Sequence, residues 1–203
     1  MQASRNFDAV GQRYPNKAGS MRAIWWVVMG VSGCGKSSLG QLLATRLGLP
    51  LIEGDDFHPP ANIAKMSSGV PLDDADRAGW LATLGAELAR HPGGAVLTCS
   101  ALKKSYRERL RAAVPMLRFV FMEISRAEAQ ARVEARAGAH FFSTTLVDNQ
   151  FATLESPVGE LGVLTLDATL PIPDLASTVM AYASLSIAAP LPAGRDMAPG
   201  DIA

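Results

Sequence analysis

The stretch MGVSGCGKSS, residues 29–38, fits the pattern G-x-x-x-x-G-K-S/T, with Gly30, Gly35, Lys36 and Ser37 on the fixed positions. That is the spacing of a loop that wraps nucleotide phosphates. Its flanks give it a structural context: the apolar run AIWWVVM leads into it and the amphipathic segment KSSLGQLLATRLG leads out. A buried strand, a glycine-rich turn and a helix in that order let the backbone N–H groups turn inward on phosphates, with the positive end of the helix behind them. The nucleotide-binding set read from the pattern is Gly30, Ser32, Gly33, Cys34, Gly35, Lys36, Ser37 and Ser38. Lys36 is placed to reach the β- and γ-phosphates of ATP, and the Ser37 hydroxyl to ligate Mg2+.

Outward from the loop, short apolar runs alternate with longer amphipathic segments. PLIE, GAVLTCS, LRFVFMEI and GVLTLDA read as further strands. DADRAGWLATLGAELARH, KKSYRERLRAA, SRAEAQARVEARA, TTLVDNQFATLE and PDLASTVMAYASL read as helices, the third capped by its serine. Five strands separated by helices predict an α/β, doubly wound parallel sheet whose ligands sit at the carboxyl ends of the strands. Residues 1–20 and 188–203 lack periodicity and are expected to be a flexible extension and a disordered tail around one folded unit, 21–187.

Composition narrows the partners. Lysine plus arginine equals aspartate plus glutamate, 19 of each, so no bulk charge favours nucleic acid or an anionic membrane. The two cysteines, Cys34 and Cys99, have no metal-ligand spacing and read as reduced thiols. No apolar run approaches the length of a membrane span or a signal segment, so a cytoplasmic protein acting on a small molecule is expected. The aromatics Trp25, Trp26, Phe119 and Phe121 lie on strand patterns and read as core.

Three classes compete for the use of the nucleotide. A guanine-nucleotide switch would carry N/T-K-x-D late in the chain, whereas NKAG at 16–19 lacks the aspartate and precedes the loop. A motor ATPase would want an apolar strand ending in aspartate, and AVLTCS ends in Ser100. These absences favour a small-molecule kinase; a catalytically idle nucleotide-binding regulator would need the same loop but not the acidic, histidine and lid blocks. The kinase's acceptor side is indicated by EGDDFHPPANIAKM, 53–66, which puts Glu53, Asp55, Asp56 and His58 just after the second strand. A carboxylate there can take the proton of an attacking hydroxyl, and Asp55 is the candidate.

These residues resemble a known family, the small P-loop gluconokinases, relatives of shikimate kinase and the nucleoside monophosphate kinases. GDDFHPPANIAKMSSGVPLDDADRAGWL, 54–81, is similar to the family's G-D-x-x-H-P-x-x-N-x-x-K-M-x-x-G-x-P-L-x-D-x-D-R-x-x-W-L block. CSALKKSYRERLR, 99–111, and HFFSTTLVDNQFATLESP, 140–157, are similar to two further blocks. The resemblance implies a nucleoside-monophosphate-kinase-like fold with a mobile lid, and transfer from ATP with Mg2+ to the 6-hydroxyl of D-gluconate. It also implies a cytosolic homodimer. A related sugar acid or a shikimate-type acceptor is the nearest alternative.

Gluconate carries a carboxylate and a row of hydroxyls, so its pocket needs cations and hydrogen-bonding groups. Asp55, His58, Lys65, Arg77, Lys103 and Arg107 fall in the matching blocks and form the expected substrate-binding set, while Lys104 and Arg111 read as a solvated helix face. Arg77 has a plainer alternative, an ion pair with the acidic run DDAD before it. Trp80 reads as packing below the substrate loop. The lid, about 132–145, is expected to close an arginine over the phosphates, Arg136 first and Arg132 as the fallback. Here the chain reads R-A-G-A-H-F, one residue longer than the family's R-x-G-H-F. Glu53 stands where many members have aspartate. Lys36, Asp55 and Arg136 are thus the expected catalytic residues.

Overall fold

Runs that are apolar on both faces become the strands of a parallel sheet, because helices must cover both sides. The computed structural model describes residues 23–136 and 144–188 and contains five such strands: β1 Ile24–Met29, β2 Leu51–Glu53, β3 Gly94–Thr98, β4 Arg118–Glu123 and β5 Val163–Asp167. Every pairing is parallel, in the order β2-β3-β1-β4-β5. The central β3 is buried at all five positions, and β1 is buried from Trp26 to Met29. The expected doubly wound five-stranded sheet is therefore present. The expected extension, 1–20, the expected tail from 189 onward and half of the lid, 137–143, lie outside the described residues.

Seven helices are described: α1 Lys36–Leu47, α2 Pro60–Ser67, α3 Asp74–Ala89, α4 Lys104–Ala113, α5 Arg126–Arg136, α6 Thr144–Thr153 and α7 Ile172–Ala188. They split the core in two. One cluster packs α1, α5 and α7 on the sheet through Leu39, Leu43, Val133, Leu175 and Val179. The other packs α3 and α4 on the opposite face through Leu81, Leu84, Leu88 and Leu110. Complete burial of one such side chain contributes about 1.5–3 kcal/mol, so both faces hold the sheet's position firmly.

Local signals set where the helices begin. Asp73 caps α3: its carboxylate accepts from the Asp76 N–H at 2.8 Å, and the Asp76 carboxylate accepts from the Asp73 N–H at 3.0 Å. This reciprocal pair satisfies two otherwise unmatched donors. Ser125 accepts from the Glu128 N–H at 3.2 Å and caps α5, as its position predicts. Helix α2 and the 3-10 turn Gly54–Phe57 before it were not assigned from the sequence; α2 has proline at its first position, where the missing N–H costs nothing.

Strand order reverses at β1, with β3 on one side and β4 on the other. Loops leaving the carboxyl ends of β1 and β3 diverge there and open a crevice. The Gly30 N–H donates to the Ser100 carbonyl at 3.4 Å, tying the phosphate loop to the loop after β3 at that point.

Candidate active site

The phosphate loop joins β1 to α1 as expected. Gly33 has φ +84°, and a Cβ there would lie 2.7 Å from the Ala129 carbonyl oxygen of α5, so glycine is required both by conformation and by space. The Cys34 side chain is fully buried under the loop, in the core cluster with Val31 and Leu39, while Ser37 and Ser38 are exposed at the helix start. Lys36 Nζ donates to the Val31 carbonyl at 3.0 Å, folding the ammonium over the loop's own concavity.

A carboxylate sits beside that concavity. Glu53 Oε2 accepts from Thr98 Oγ1 at 2.5 Å and from Ser37 Oγ at 3.2 Å. The end of β2 is thereby joined to the end of β3 and to the phosphate loop through one oxygen. Gly54 follows directly, and a Cβ there would collide with the Thr98 carbonyl oxygen, so this close passage of the two strand ends admits no side chain.

The cleft in front of the loop has a volume of about 580 Å³. Ser32, Lys36 and Ser100 line its phosphate end; Asp55, His58, Arg77 and Trp80 line its middle. Asp55 is an exposed residue of the 3-10 turn. Trp80 donates its Nε1–H to the Gly54 carbonyl at 2.8 Å and stacks under His58, centroids 4.2 Å apart and planes at 15°. The tryptophan of α3 thus holds both the turn and the imidazole. Burial pushes the His58 pKa below its ordinary value of 6.5; nearby Asp55 opposes this shift and nearby Arg77 adds to it.

The acidic run before Arg77 does not pair with it among the described residues. Asp73 caps the helix; Asp74 accepts from Lys103 Nζ at 2.7 Å and from the Tyr106 hydroxyl; Asp76 accepts from Lys65 Nζ at 2.6 Å. Hydrogen bonds from Lys103 and Tyr106 hold the Asp74 carboxyl below the usual range, and those from Lys65 and the Asp73 N–H do the same for Asp76. Arg77 donates to the Leu72 carbonyl, lies with its guanidinium carbon 5.8 Å from the Tyr106 ring centroid, and lines the cleft. The surface-pair alternative for Arg77 is replaced by a cleft cation.

Three other expected substrate ligands are placed elsewhere. Lys65 and Lys103 are outside the main cleft, each held by an aspartate, although Lys103 borders a shallower hollow shared with Arg77 and Thr153. The assignment of Arg107 to substrate is corrected. Its side chain is fully buried and donates to the carbonyls of Ala101, Leu102 and Glu155 and, at 2.5 and 3.0 Å, to the two Glu160 carboxylate oxygens. No donor is left over for a ligand, and Arg107 acts as a strut between α4 and residues 155–160. Arg111 is corrected too: it is half-buried over the Phe119 ring at 4.6 Å and shares Glu160. Lys104 keeps its exposed position, 3.8 Å from Glu108.

For the lid, Arg136 closes α5, and its side chain lies outside the described residues together with 137–143. Arg132 is held by Glu128 at 3.0 Å and by the Ala168 carbonyl at 2.9 Å, and it does not line the cleft.

Sequence reasoning missed the fourth wall. Leu146, Asn149, Gln150 and Thr153 of α6 line the cleft, and Gln150 Oε1 accepts from the Ser32 N–H of the phosphate loop at 2.6 Å. In L-V-D-N-Q-F-A-T, 146–153, residues 149, 150 and 153 share one helical face, but helical spacing alone does not mark uncharged side chains as a site.

The comparisons with known proteins agree with this geometry. Residues 26–158 match a family model described as an AAA domain. The chain is 52% identical over 134 residues to the gluconokinase of Gluconobacter oxydans, covering 64% of this chain and 75% of that one. It is 40% identical over 159 residues to the thermoresistant gluconokinase of Escherichia coli, covering 76% and 90%. The crystal structure of a gluconokinase from Sinorhizobium meliloti superposes with a TM-score of 0.76 at 44% identity, covering 82% of this chain and 95% of that one.

Proposed function

The chain belongs to the gluconokinase family of P-loop kinases, and from that premise we propose that it transfers the γ-phosphoryl group of ATP to the 6-hydroxyl of D-gluconate, giving 6-phospho-D-gluconate and ADP. The observation that carries this reading is the composition of one cleft: Lys36 at its phosphate end faces a middle lined by Asp55, His58 and Arg77.

Such a transfer has little covalent work for the protein to do; positioning and charge stabilisation dominate. The inward N–H groups of residues 32–38 and the Lys36 ammonium hold the triphosphate and take up charge that develops on the transferring group. Gln150 occupies the Ser32 N–H in the present arrangement, so nucleotide binding reorders that contact and draws α6 with it. Asp55 accepts the 6-hydroxyl proton as the oxygen attacks phosphorus. Arg77 is the cation for the gluconate carboxylate, since its neighbouring acids are already engaged, and His58 and Asn149 are hydrogen-bonding groups for the hydroxyls. Arg136 closes over the phosphates from the lid stem.

Mg2+ fits the donors present. Ser37 Oγ and the Glu53 carboxylate are hard oxygen ligands side by side, and among the described residues no group of three or more His, Cys, Asp or Glu side chains could hold an ion alone. Ser37 would hold it, and Glu53 would be a second oxygen donor beside it. When bound, the ion supplies charge neutralisation on the phosphate oxygens.

Among the described residues no helix is long and apolar enough to cross a membrane. A cytosolic homodimer is part of the proposal, supported by the family resemblance. The test is ADP release with Mg-ATP across D-gluconate, other sugar acids, shikimate and nucleoside monophosphates. Turnover confined to D-gluconate is expected; turnover with another acceptor overturns the substrate, and ATP binding without any turnover overturns the kinase.

A further inference from the structure

Asn62 is a polar side chain in a place that supplies it no water. It lies on α2, 3% exposed, and its Nδ2 donates to the Asp76 backbone carbonyl of α3 at 3.0 Å. A backbone carbonyl can only accept, so this contact fixes which end of the amide is nitrogen. The same Nδ2 lies 3.4 Å from Nδ1 of His58. Its second hydrogen can be satisfied there only if Nδ1 carries no proton.

We propose that Asn62 is a positioning residue that holds His58 in the neutral tautomer with its proton on Nε2, making His58 an obligatory hydrogen-bond donor to the acceptor substrate and leaving proton acceptance to Asp55. The inference rests on the functional reading above for the identity of that acceptor. Three features act together on the ring. Trp80 stacks on one face at 4.2 Å and fixes its plane; Asn62 occupies Nδ1; Nε2 takes no partner among the described residues, and the ring lines the cleft. A donor aimed at a polyol must present a hydrogen to a hydroxyl or carboxylate oxygen, which the Nε2–H form does without carrying a charge into a site that already holds Lys36 and Arg77.

The charged groups around the ring are Asp55 from the 3-10 turn, Arg77 from α3, the Lys65–Asp76 pair joining α2 to α3, and Lys36 across the cleft. Burial and Arg77 push against protonation and Asp55 pulls toward it, with burial the largest influence. The ring is therefore neutral at pH 7, in agreement with the hydrogen-bond geometry.

The full chain has three histidines, His58, His91 and His140, so long-range 1H–15N correlation of labelled protein resolves each imidazole, and His58→Gln assigns the signal. The expected pattern is an unprotonated Nδ1 and a protonated Nε2 from pH 7 to 8, before any substrate is added. A proton on Nδ1, or on both nitrogens, overturns the proposal. Asn62→Asp supplies an acceptor in place of the donor; it should move the proton to Nδ1 and raise KM for D-gluconate by roughly tenfold, with KM for ATP within about twofold of the parent. An unchanged tautomer in a folded Asn62→Asp protein overturns the role of Asn62. If the parent shows the Nε2–H form but no turnover of D-gluconate, the tautomer stands and the functional reading falls.

Discussion

The two ends of the cleft are built by different means. The phosphate end comes from one contiguous loop, 30–37, whose working groups are backbone N–H donors shaped by glycines, with Lys36 and Ser37 added at the start of α1. The acceptor end is assembled from four separate pieces: the turn after β2, α2, the first turns of α3, and α6 beyond the lid. Its working groups are side chains with separate supports: His58 is held by Trp80 and Asn62, and Arg77 by the Leu72 carbonyl. A backbone cradle is indifferent to most substitutions around it. An assembled wall depends on every support, so phosphate binding is concentrated at one end, and proton acceptance and selectivity at the other.

Substitutions should separate the two ends. The largest effect belongs to the phosphate end: Lys36→Met should lower kcat by about 10³-fold or more, while D-gluconate binding measured by calorimetry stays within a few-fold of the parent. Asp55→Asn comes next, with kcat down by roughly 10²–10⁴-fold and KM for ATP nearly unchanged. Retention of turnover within about threefold would remove Asp55 as the proton acceptor. At the acceptor end, Arg77→Met should raise KM for D-gluconate by about 10–100-fold with a smaller loss in kcat, read from full saturation curves in both substrates.

Arg107→Met sharpens the contrast because this arginine is a strut. Breaking a buried ion pair with one partner left behind costs about 3–5 kcal/mol, so denaturant unfolding should show a large loss of stability. KM for D-gluconate in the folded fraction should match the parent. An increase in KM without loss of stability would return Arg107 to the substrate set. The smallest effect concerns pH. His58 has its native pKa below 6.5, so below that pH the unfolded chain binds more protons and stability falls as pH drops. The Asp74, Asp76 and Glu160 carboxyls are all held below their ordinary values of 3.8, 3.8 and 4.5, so their contributions are lost only at lower pH. Between about pH 6.5 and 5.5 the parent should therefore lose slightly more stability than His58→Gln, read from denaturant midpoints.

The same contrast explains what the sequence made legible. The sheet and the phosphate loop could be read because apolar runs and glycine spacing are local signals, and the Ser125 cap follows from one residue. Asp55 and His58 could be placed at the cleft because the carboxyl end of β2 is a known position in such a sheet. Arg107 could not be read correctly, since its four partners lie at 101, 102, 155 and 160, and nothing in YRERLR tells a strut from a ligand. The wall of α6 was hidden for the opposite reason: Asn149, Gln150 and Thr153 are uncharged and carry no chemical signature until the fold sets them against the phosphate loop. Helix α2 is eight residues long and depends on tertiary contacts such as Asn62 to Asp76, which no local pattern contains.

The central claim is that phosphate passes from ATP across this cleft to the terminal hydroxyl of D-gluconate. The most direct test is a 31P–1H correlation spectrum of the products formed from Mg-ATP and D-gluconate. The account predicts one phosphomonoester whose phosphorus couples to the two C6 methylene protons, accumulating in step with ADP. Phosphorus coupled to a methine proton, or ADP accompanied by inorganic phosphate alone, would contradict it.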